Sequence, residues 1–291
     1  MKIVAFSDIH SNSVAFQACL DEIKAMQIDG IVFLGDYVSD CPNPLVTIDM
    51  IRKVQEEYTT WFVRGNREEY FLEYEEGKIG DWHYNSYKGS LLYTYEHLNQ
   101  SVLDWFRSLP NTCILEIEGT KPITLAHGSQ RYTRELLDAG KENTKECLEE
   151  LKTEYILCGH THRQCIYKYN GKTLFNPGSV GVAIGVPMQA HYMVLEWNGS
   201  EWTGEERSVS YSIEPLKEIF YHSHLMNKGR VWPLAIIKSI ETGINYGPLC
   251  AKRAYDLAVE SGEELKDMVV PERFWEMAAK EFGIKTDTIK E

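Results

Sequence analysis

The sequence predicts an α/β (α+β) fold: a four-layer αββα sandwich of two mixed sheets with helices outside, carrying a C-terminal helical extension. Three observations carry this prediction. Apolar runs of strand length alternate with amphipathic helical spacing over the first 65 residues. A series of short strands separated by turn signals follows. Beyond residue 212 only helical periodicity is found.

In chain order, residues 2–7 form an apolar run of strand length. Phe16, Cys19, Leu20, Ile23 and Met26 then recur at helical spacing, with Asn12 or Ser13 as the N-cap. Ile31-Val32-Phe33-Leu34 is a second apolar run, ended by Gly35-Asp36. Asn43-Pro44 places a cap before a proline at the first helical position, and Leu45, Ile48, Ile51 and Val54 line that helix. Trp61-Phe62-Val63 is a third strand, ended by Gly65-Asn66. Continuously apolar strands alternating with helices imply parallel pairing, with helices covering both faces. Residues 67–110 are acidic, aromatic-rich and helical, an insertion closing at Leu109-Pro110. Strands resume at 112–117, 122–127, 154–158, 164–169, 190–197 and 201–209. Asn170-Gly171 and Asn198-Gly199 mark hairpins among them. Helices are predicted over 213–226, 231–242, 248–262 and 271–282, punctuated by Gly229, Gly243, Gly247 and Pro271. The body therefore spans 1–212, and the extension, 213–291, packs on it.

Composition narrows the function. Of 291 residues, 43% are hydrophobic and 25% charged, an ordinary globular balance. No apolar run approaches the ~20 residues of a membrane span. The apolar start is too short for a signal peptide and reads as a strand, so a cytoplasmic location is expected. Seven scattered cysteines, among them Cys158 and Cys165, read as reduced core residues rather than disulfides or a zinc knuckle. A formal charge of −13, with no Lys/Arg-rich run, disfavours nucleic-acid binding and favours a small anionic substrate.

Five short blocks carry candidate chemistry, each at the end of a predicted strand: Asp8-Ile9-His10, Gly35-Asp36, Gly65-Asn66, His127-Gly128 and Gly159-His160-Thr161-His162. Ligands in parallel sheets bind beyond the carboxyl ends of the strands, so all five blocks reach one rim. In extended chain Asp8 and His10 project to one side while Ile9 enters the core, and His160 and His162 repeat that pattern. Carboxylate, imidazole and amide donors suit zinc, manganese or iron. Any block alone has an ordinary explanation as a turn or a buried histidine. Gly-His-Thr-His is stronger, because two imidazoles on one face are costly to leave unpaired. Five in order at strand ends make coincidence improbable.

In these blocks the chain resembles the calcineurin-like metallophosphoesterases, over residues 1–210. Ser7-Asp8-Ile9-His10-Ser11-Asn12, Gly35-Asp36-Tyr37-Val38 and Asn176-Pro177-Gly178-Ser179-Val180-Gly181 are most similar to the small bacterial and archaeal phosphodiesterase branch. That branch includes diadenosine-polyphosphate hydrolase-like members. The resemblance implies two divalent or trivalent ions (Mn, Fe or Zn) with a bridging hydroxide. One ion would be held by Asp8, His10, Asp36 and His162, the other by Asp36, Asn66, His127 and His160. It also implies catalytic roles for Asp36, Asn66, Arg67 and His127, and substrate contacts from Asn12, Arg67, Arg131 and Ser179. Two positions depart from the family. Arg67 stands where many members have a histidine that assists the leaving group, and Ser11 where they commonly have glycine. A guanidinium stabilises charge but gives up no proton, which shifts the expectation towards diesters and anhydrides. The alternative for Arg67 is an ion pair with Glu68 or Glu69.

The expected activity is thus a metal-dependent phosphodiesterase or nucleotide pyrophosphohydrolase acting on a small phosphorylated or nucleotide substrate such as a dinucleoside polyphosphate. The rivals are a phosphomonoesterase, a nonenzymatic scaffold that kept the fold, and a nuclease. Trp232, Phe274 and Trp275 are aromatic residues of the extension that would suit a homo-oligomer interface. His222, His224, His83 and His97 read as surface or capping residues, and His191 as a residue at the edge of reach. Trp82, Tyr84, Tyr87, Tyr93 and Tyr95 suit helix packing better than base stacking.

Overall fold

The computed structural model describes residues 1–265 and 269–287. Strands β1 (Lys2–Phe6), β2 (Gly30–Phe33) and β3 (Thr60–Phe62) run parallel, because each is followed by a crossover helix or by the insertion. Helix α1 (Ser13–Ile23) follows β1, α2 (Pro44–Glu57) follows β2, and α3 (Asn66–Glu75) follows β3. The insertion continues with α4 (Gly89–Glu96) and α5 (Gln100–Ser108). The second half contributes β4 (Thr112–Leu115), β5 (Ile123–Ala126), α6 (Glu142–Glu150), β6 (Tyr155–Leu157), β7 (Gln164–Tyr169), β8 (Lys172–Pro177), β9 (Gln189–Trp197) and β10 (Trp202–Ser210). One sheet has the order β10-β9-β1-β2-β3 and the other β4-β5-β6-β8-β7. Both are mixed: β9 pairs antiparallel with β1 and β10, while β5, β6 and β8 are parallel and β4 and β7 antiparallel.

The two sheets pack face to face. Ile3, Ala5, Val32, Leu34, Leu125, Leu157, Met193 and Leu195 fill the space between them. Val4, Phe6, Ile31 and Phe33, the alternate residues of β1 and β2, pack instead against Phe16, Ile48 and Phe106 of α1, α2 and α5. Ala126, Ile156 and Leu174 turn to Cys147 and Leu148 of α6 on the far side. This corrects one expectation. The first sheet has helices on one face only, and the second sheet covers the other. A continuous apolar run states that both faces are buried, not what buries them.

The turn chemistry behaves as predicted. Asn170 and Gly171 have φ of 47° and 74°, the two positive values that a tight hairpin between β7 and β8 requires. Asn12 caps α1, accepting the Ala15 N–H at 3.0 Å. Leu45 is exposed rather than on the buried face of α2, which includes Thr47, Ile48, Ile51 and Val54. In the insertion, Trp82 is buried and stacked on Tyr74 at 4.2 Å, and Tyr93 is buried too. Tyr84 and Tyr87 are exposed.

The extension consists of α7 (Glu214–His222), α8 (Leu225–Gly229), α9 (Val231–Thr242), α10 (Tyr246–Glu260) and α11 (Glu272–Glu281). The single helix predicted over 213–226 is broken at Ser223, whose ψ of 158° is extended. Leu216, Phe220, Ile236, Ile240, Ala254, Phe274 and Trp275 build a core that runs on into Cys41, Tyr93 and Val182 of the body. Phe274 and Trp275 are therefore consumed by this core and offer nothing to an oligomer interface. Backbone bonds tie the extension to the loop before β9: Gly185 N–H to Gly243 O and Met188 N–H to Ile240 O, both 2.8 Å. Gly243 ends α9 with φ of 72°, and a Cβ there would sit 2.8 Å from the Val186 nitrogen. All seven cysteines are free. Among the described residues no helix is long and apolar enough to cross a membrane.

Candidate metal centre

Three of the five blocks leave their strands through left-handed backbone. Asp8, His10, Asp36, His160 and His162 have φ of 54°, 50°, 53°, 65° and 59°. Extended alternation is therefore not what aims Asp8 and His10, or His160 and His162, at one rim. A twist at each donor does so, while Ile9 between the first two is buried in the core as expected. Such a conformation costs an L-residue roughly 1–2 kcal/mol, and neighbouring hydrogen bonds enforce it. Asp8 N–H donates to Gly35 O (3.1 Å), His10 N–H to Asp36 O (3.0 Å) and Ser11 N–H to Tyr37 O (3.1 Å), lacing the β1 exit to the β2 exit. Gly65 is required by contact rather than by φ, since a Cβ there would lie 2.2 Å from Asp36 Oδ1.

Two donor clusters result. Asp8, His10 and His162 bring ligand atoms within 4.8 Å of one another, and so do Asp36, His127 and His160. Asn66 Oδ1 joins the second cluster, 3.0 Å from His127 Nε2. Asp36 lies between them, its Oδ2 3.7 Å from His10 Nε2 and 3.5 Å from His127 Nε2. His127 Nδ1 faces Leu34 O at 2.7 Å and His162 Nδ1 faces Val182 O at 2.8 Å. A carbonyl only accepts, so each Nδ1 carries the proton and each Nε2 presents a lone pair to the site.

The residues fit metal ions. Asp8 Oδ1 is buried without a hydrogen bond, 3.2 Å from His162 Nε2. His10 Nε2 and His162 Nε2 face each other at 3.1 Å. An orphaned carboxylate oxygen beside converging imidazole nitrogens is costly unless a cation satisfies it. With protons as the only counter-charge, burial opposes charge throughout and the carboxylates oppose burial. His127 is desolvated, yet Asp36 and Asp8 hold its imidazolium up at about 10. Asp8, against its own burial, is held well below the usual carboxylate range by His162 and His127. His160 is pushed down to about 4 by burial and by His127.

Two acidic residues that the sequence reading did not single out support the centre. Glu68 is fully buried and accepts the N–H groups of Asp36 (2.8 Å), Tyr37 (2.9 Å) and Gly65 (2.9 Å), stitching the β2 exit to the β3 exit. Burial and the Asp36 charge push its carboxyl up to about 7. Asp40 is buried as well. Its Oδ2 lies 3.2 Å from His10 Nδ1 and 3.0 Å from the Arg67 guanidinium, and its Oδ1 accepts the indole N–H of Trp232 at 2.9 Å. An acid two or four residues from a ligand was the available signal, and for Glu68 so was its place three residues after Gly65 at the start of α3, but the remaining partners of both residues named here lie far off in sequence.

Arg67 pairs with neither Glu68 nor Glu69. Its backbone N–H donates to Asp36 Oδ1 (2.8 Å), and its Nε lies 3.8 Å from Asp36 Oδ2. Glu69 instead accepts from Thr133. Asn12 is buried and fully used: beyond its cap, its amide donates to Gly181 O (2.8 Å) and Tyr211 Oη (3.0 Å). Ser179 is buried, donating to Asp8 O and accepting from Val182 N–H, both at 2.8 Å. These two residues brace the rim. Arg131 is held by Glu135 and by Asn143 O. His191 is buried with both ring nitrogens unbonded. His222 lies exposed beside Glu218, and His224 stands at the N-cap position of α8 without a capping side-chain bond. His97 bonds Tyr93 O at 2.7 Å. Cys158 is core.

The model of the calcineurin-like phosphoesterase superfamily domain matches residues 1–200. An uncharacterised protein of Methanocaldococcus jannaschii is 28% identical over 220 residues, 67% of this chain and 82% of that protein. The crystal structure of a hypothetical protein from Pyrococcus horikoshii shares the fold with a TM-score of 0.70 at 18% identity, over 84% of this chain and 98% of that one. A metallophosphoesterase from Sphaerobacter thermophilus does so with a TM-score of 0.64 at 21% identity, over 84% of this chain and all (100%) of that one.

Proposed function

The chain belongs to the calcineurin-like phosphoesterase superfamily, a metal-dependent phosphoester hydrolase by family, and on that premise we propose that it cleaves phosphodiesters and phosphoanhydrides of small nucleotides, dinucleoside polyphosphates foremost. The observation that carries this reading is Arg67. Its guanidinium is anchored by Asp40 at 3.0 Å and stands over Asp36, with its side chain 19% exposed at the mouth of the donor clusters. Arg67 follows Asn66 directly, at the position where many family members carry a histidine that assists a poor leaving group.

We propose a dinuclear centre of Mn, Zn or Fe, with Asp8, His10, Asp36 and His162 around one ion and Asp36, Asn66, His127 and His160 around the other. Bound there, such cations supply Lewis-acid polarisation of the phosphoryl oxygens and a nucleophilic water at neutral pH. The chain's own contribution is orientation and charge. Leu34 O and Val182 O fix the tautomers of His127 and His162. Glu68 sets the spacing of the Asp36 and Asn66 loops through three backbone N–H groups. Arg67, charged at any working pH, holds negative charge on the transferring phosphoryl or the departing group and donates no proton. Residues 1–212 would carry this chemistry, with 213–291 as a buttress.

The test is hydrolysis of p-nitrophenyl mono- and diesters and dinucleoside polyphosphates, each with Mn²⁺, Zn²⁺, Fe²⁺ or no metal. Metal-dependent turnover with diesters and anhydrides ahead of monoesters is expected. Monoesters ahead would overturn the substrate class, and no turnover on any substrate would favour the scaffold.

A further inference from the structure

One helical turn beyond Asn66 and Arg67, α3 presents Tyr70, and two cations from other parts of the chain converge on its ring. Lys88, from the segment before α4, places Nζ 5.6 Å from the Tyr70 centroid and 4.5 Å from that of Tyr87. Arg134, from the loop after β5, places its guanidinium carbon 4.4 Å from the Tyr70 centroid. Tyr70 shares α3 with Asn66, Arg134 lies in the loop that follows His127, and Lys88 lies within the insertion, so the cluster borders the candidate metal centre. Arg134 is already neutralised, by Glu73 at 3.0 Å. Lys88 is not: among the described residues its ammonium makes no ion pair and no hydrogen bond, only the ring contacts. It is partly desolvated, and the nearby charges of Arg67 and Arg134 oppose it by more than the Glu73 carboxylate, which it does not contact, supports it. A chain of net charge −13 has carboxylates to spare, yet none pairs with this lysine. An unpaired, half-buried ammonium beside two guanidinium groups is unfavourable until an anion arrives.

We propose that Lys88 and Arg134, both held at the ring of Tyr70, form a subsite for a further phosphate of the substrate, next to the phosphoryl group held at the metal centre. The ligand class is a linear oligophosphate, inorganic or nucleoside-bearing. A monoester or a simple diester has no group to place there. The proposal rests on the phosphoesterase reading above and deepens it, since it adds what lies beyond the reacting phosphorus.

The experiment compares wild type with Lys88→Ala and Lys88→Arg, all loaded with Mn²⁺. Substrates are bis(p-nitrophenyl) phosphate, inorganic tripolyphosphate, ATP and a dinucleoside tetraphosphate, and tripolyphosphate binding is measured separately by calorimetry. In Lys88→Ala the ratio of kcat/KM for tripolyphosphate to that for the diester should fall about tenfold or more, the factor expected for a lost charge-assisted hydrogen bond. KM should carry the change, and Lys88→Arg should restore most of it. An equal fall for the nucleotides assigns the subsite to the phosphate chain, and a fall confined to them assigns it to a nucleoside-bearing chain. Unchanged ratios to the diester for tripolyphosphate, ATP and the dinucleoside tetraphosphate alike overturn the subsite while leaving the phosphoesterase reading intact. If no substrate turns over, that reading fails, and calorimetry still decides the subsite: equal tripolyphosphate affinity in wild type and Lys88→Ala removes it.

Discussion

Among the described residues the extension reaches the candidate metal centre through one side-chain bond, Trp232 Nε1 to Asp40 Oδ1 at 2.9 Å, and Trp232→Phe removes that bond while keeping an aromatic ring. A hydrogen bond to a charged group contributes about 1.5–3 kcal/mol. The lower end applies here, because Asp40 keeps Arg67 at 3.0 Å and His10 at 3.2 Å. Some apolar contact is lost as well, since the indole packs closely enough on α10 that a Cβ on Gly247 would lie 3.1 Å from it. About 2 kcal/mol corresponds to a drop in Tm of roughly 3 °C for a chain of this size. Asp40→Asn should act on catalysis instead. It takes a charged partner from both His10 Nδ1 and Arg67, and loss of such a partner to a metal-binding histidine typically costs about 10–100-fold. Trp232→Phe, one bond further out, should cost less than about tenfold. The assay is thermal unfolding together with kcat for bis(p-nitrophenyl) phosphate, in both single variants and the double variant. A coupling of about 1 kcal/mol or more is expected. Additivity to within about 0.5 kcal/mol, or full activity in Asp40→Asn, would show that the extension does not act on the site through this carboxylate.

Asp36→Asn should abolish turnover and weaken the binding of both ions, because its Oδ2 stands within 3.7 Å of a nitrogen from each cluster; two tightly held ions by elemental analysis would remove the bridging assignment. Arg67→Ala should slow diesters and anhydrides roughly 10²–10³-fold. Arg67→His should raise monoester turnover relative to diester turnover, and an unchanged substrate ratio in both would reduce Arg67 to a structural ion pair. His191 is pushed down to about 4 by burial, against the ordinary histidine value near 6.5 in the unfolded chain. The unfolded state therefore binds the extra proton, and stability present above about pH 6.5 is lost as pH falls towards 4, up to about 3 kcal/mol. His191→Phe should flatten that acid limb in chemical denaturation between pH 7.5 and 4.5. An unaltered pH slope would contradict the buried, unbonded imidazole.

The strands, their ends and the donor residues were legible because each is written locally. Ile31–Leu34 is apolar throughout, Gly35 ends it, and Asp36 is of a type that binds metal. The Asn170-Gly171 hairpin was legible for the same reason: those two residues accept positive φ at little cost. What could not be read is what depends on distance across the fold. Nothing near Asp40 in sequence indicates that Trp232, 192 positions later, donates to it. Glu68 looked like one more acidic residue of a helical insertion, because two of its three donors, Asp36 and Tyr37, come from the β2 exit, which meets it only after β2 and β3 have paired. The break at Ser223 was hidden by apolar spacing that continues through Phe220 and Leu225 into a shared core. Arg67 was half legible. Its charge was plain, but Asp40 rather than the adjacent Glu68 or Glu69 holds it, since those glutamates face backbone N–H groups and Thr133.

The twisted backbone at the donors shows how local and distant terms combine at this centre. Ser11 stands where family members commonly carry glycine, with φ of 58°. On conformation alone glycine would be favoured there by about 1 kcal/mol. Yet Ser11 Oγ accepts the Ser39 N–H at 3.0 Å, and Ser39, with φ of 113°, in turn bonds His10 Nδ1 at 3.0 Å. Leaving a buried N–H without an acceptor costs about 1–3 kcal/mol, which outweighs the strain relieved. The serine is thus the better residue in this chain, because the loop it supports carries Asp40. The same logic extends to Asp8, His10, Asp36, His160 and His162. Each twist is a local cost that is offset only once the β1, β2 and β6 exits are laced together, so the geometry of the metal centre and the packing of the two sheets form as one event.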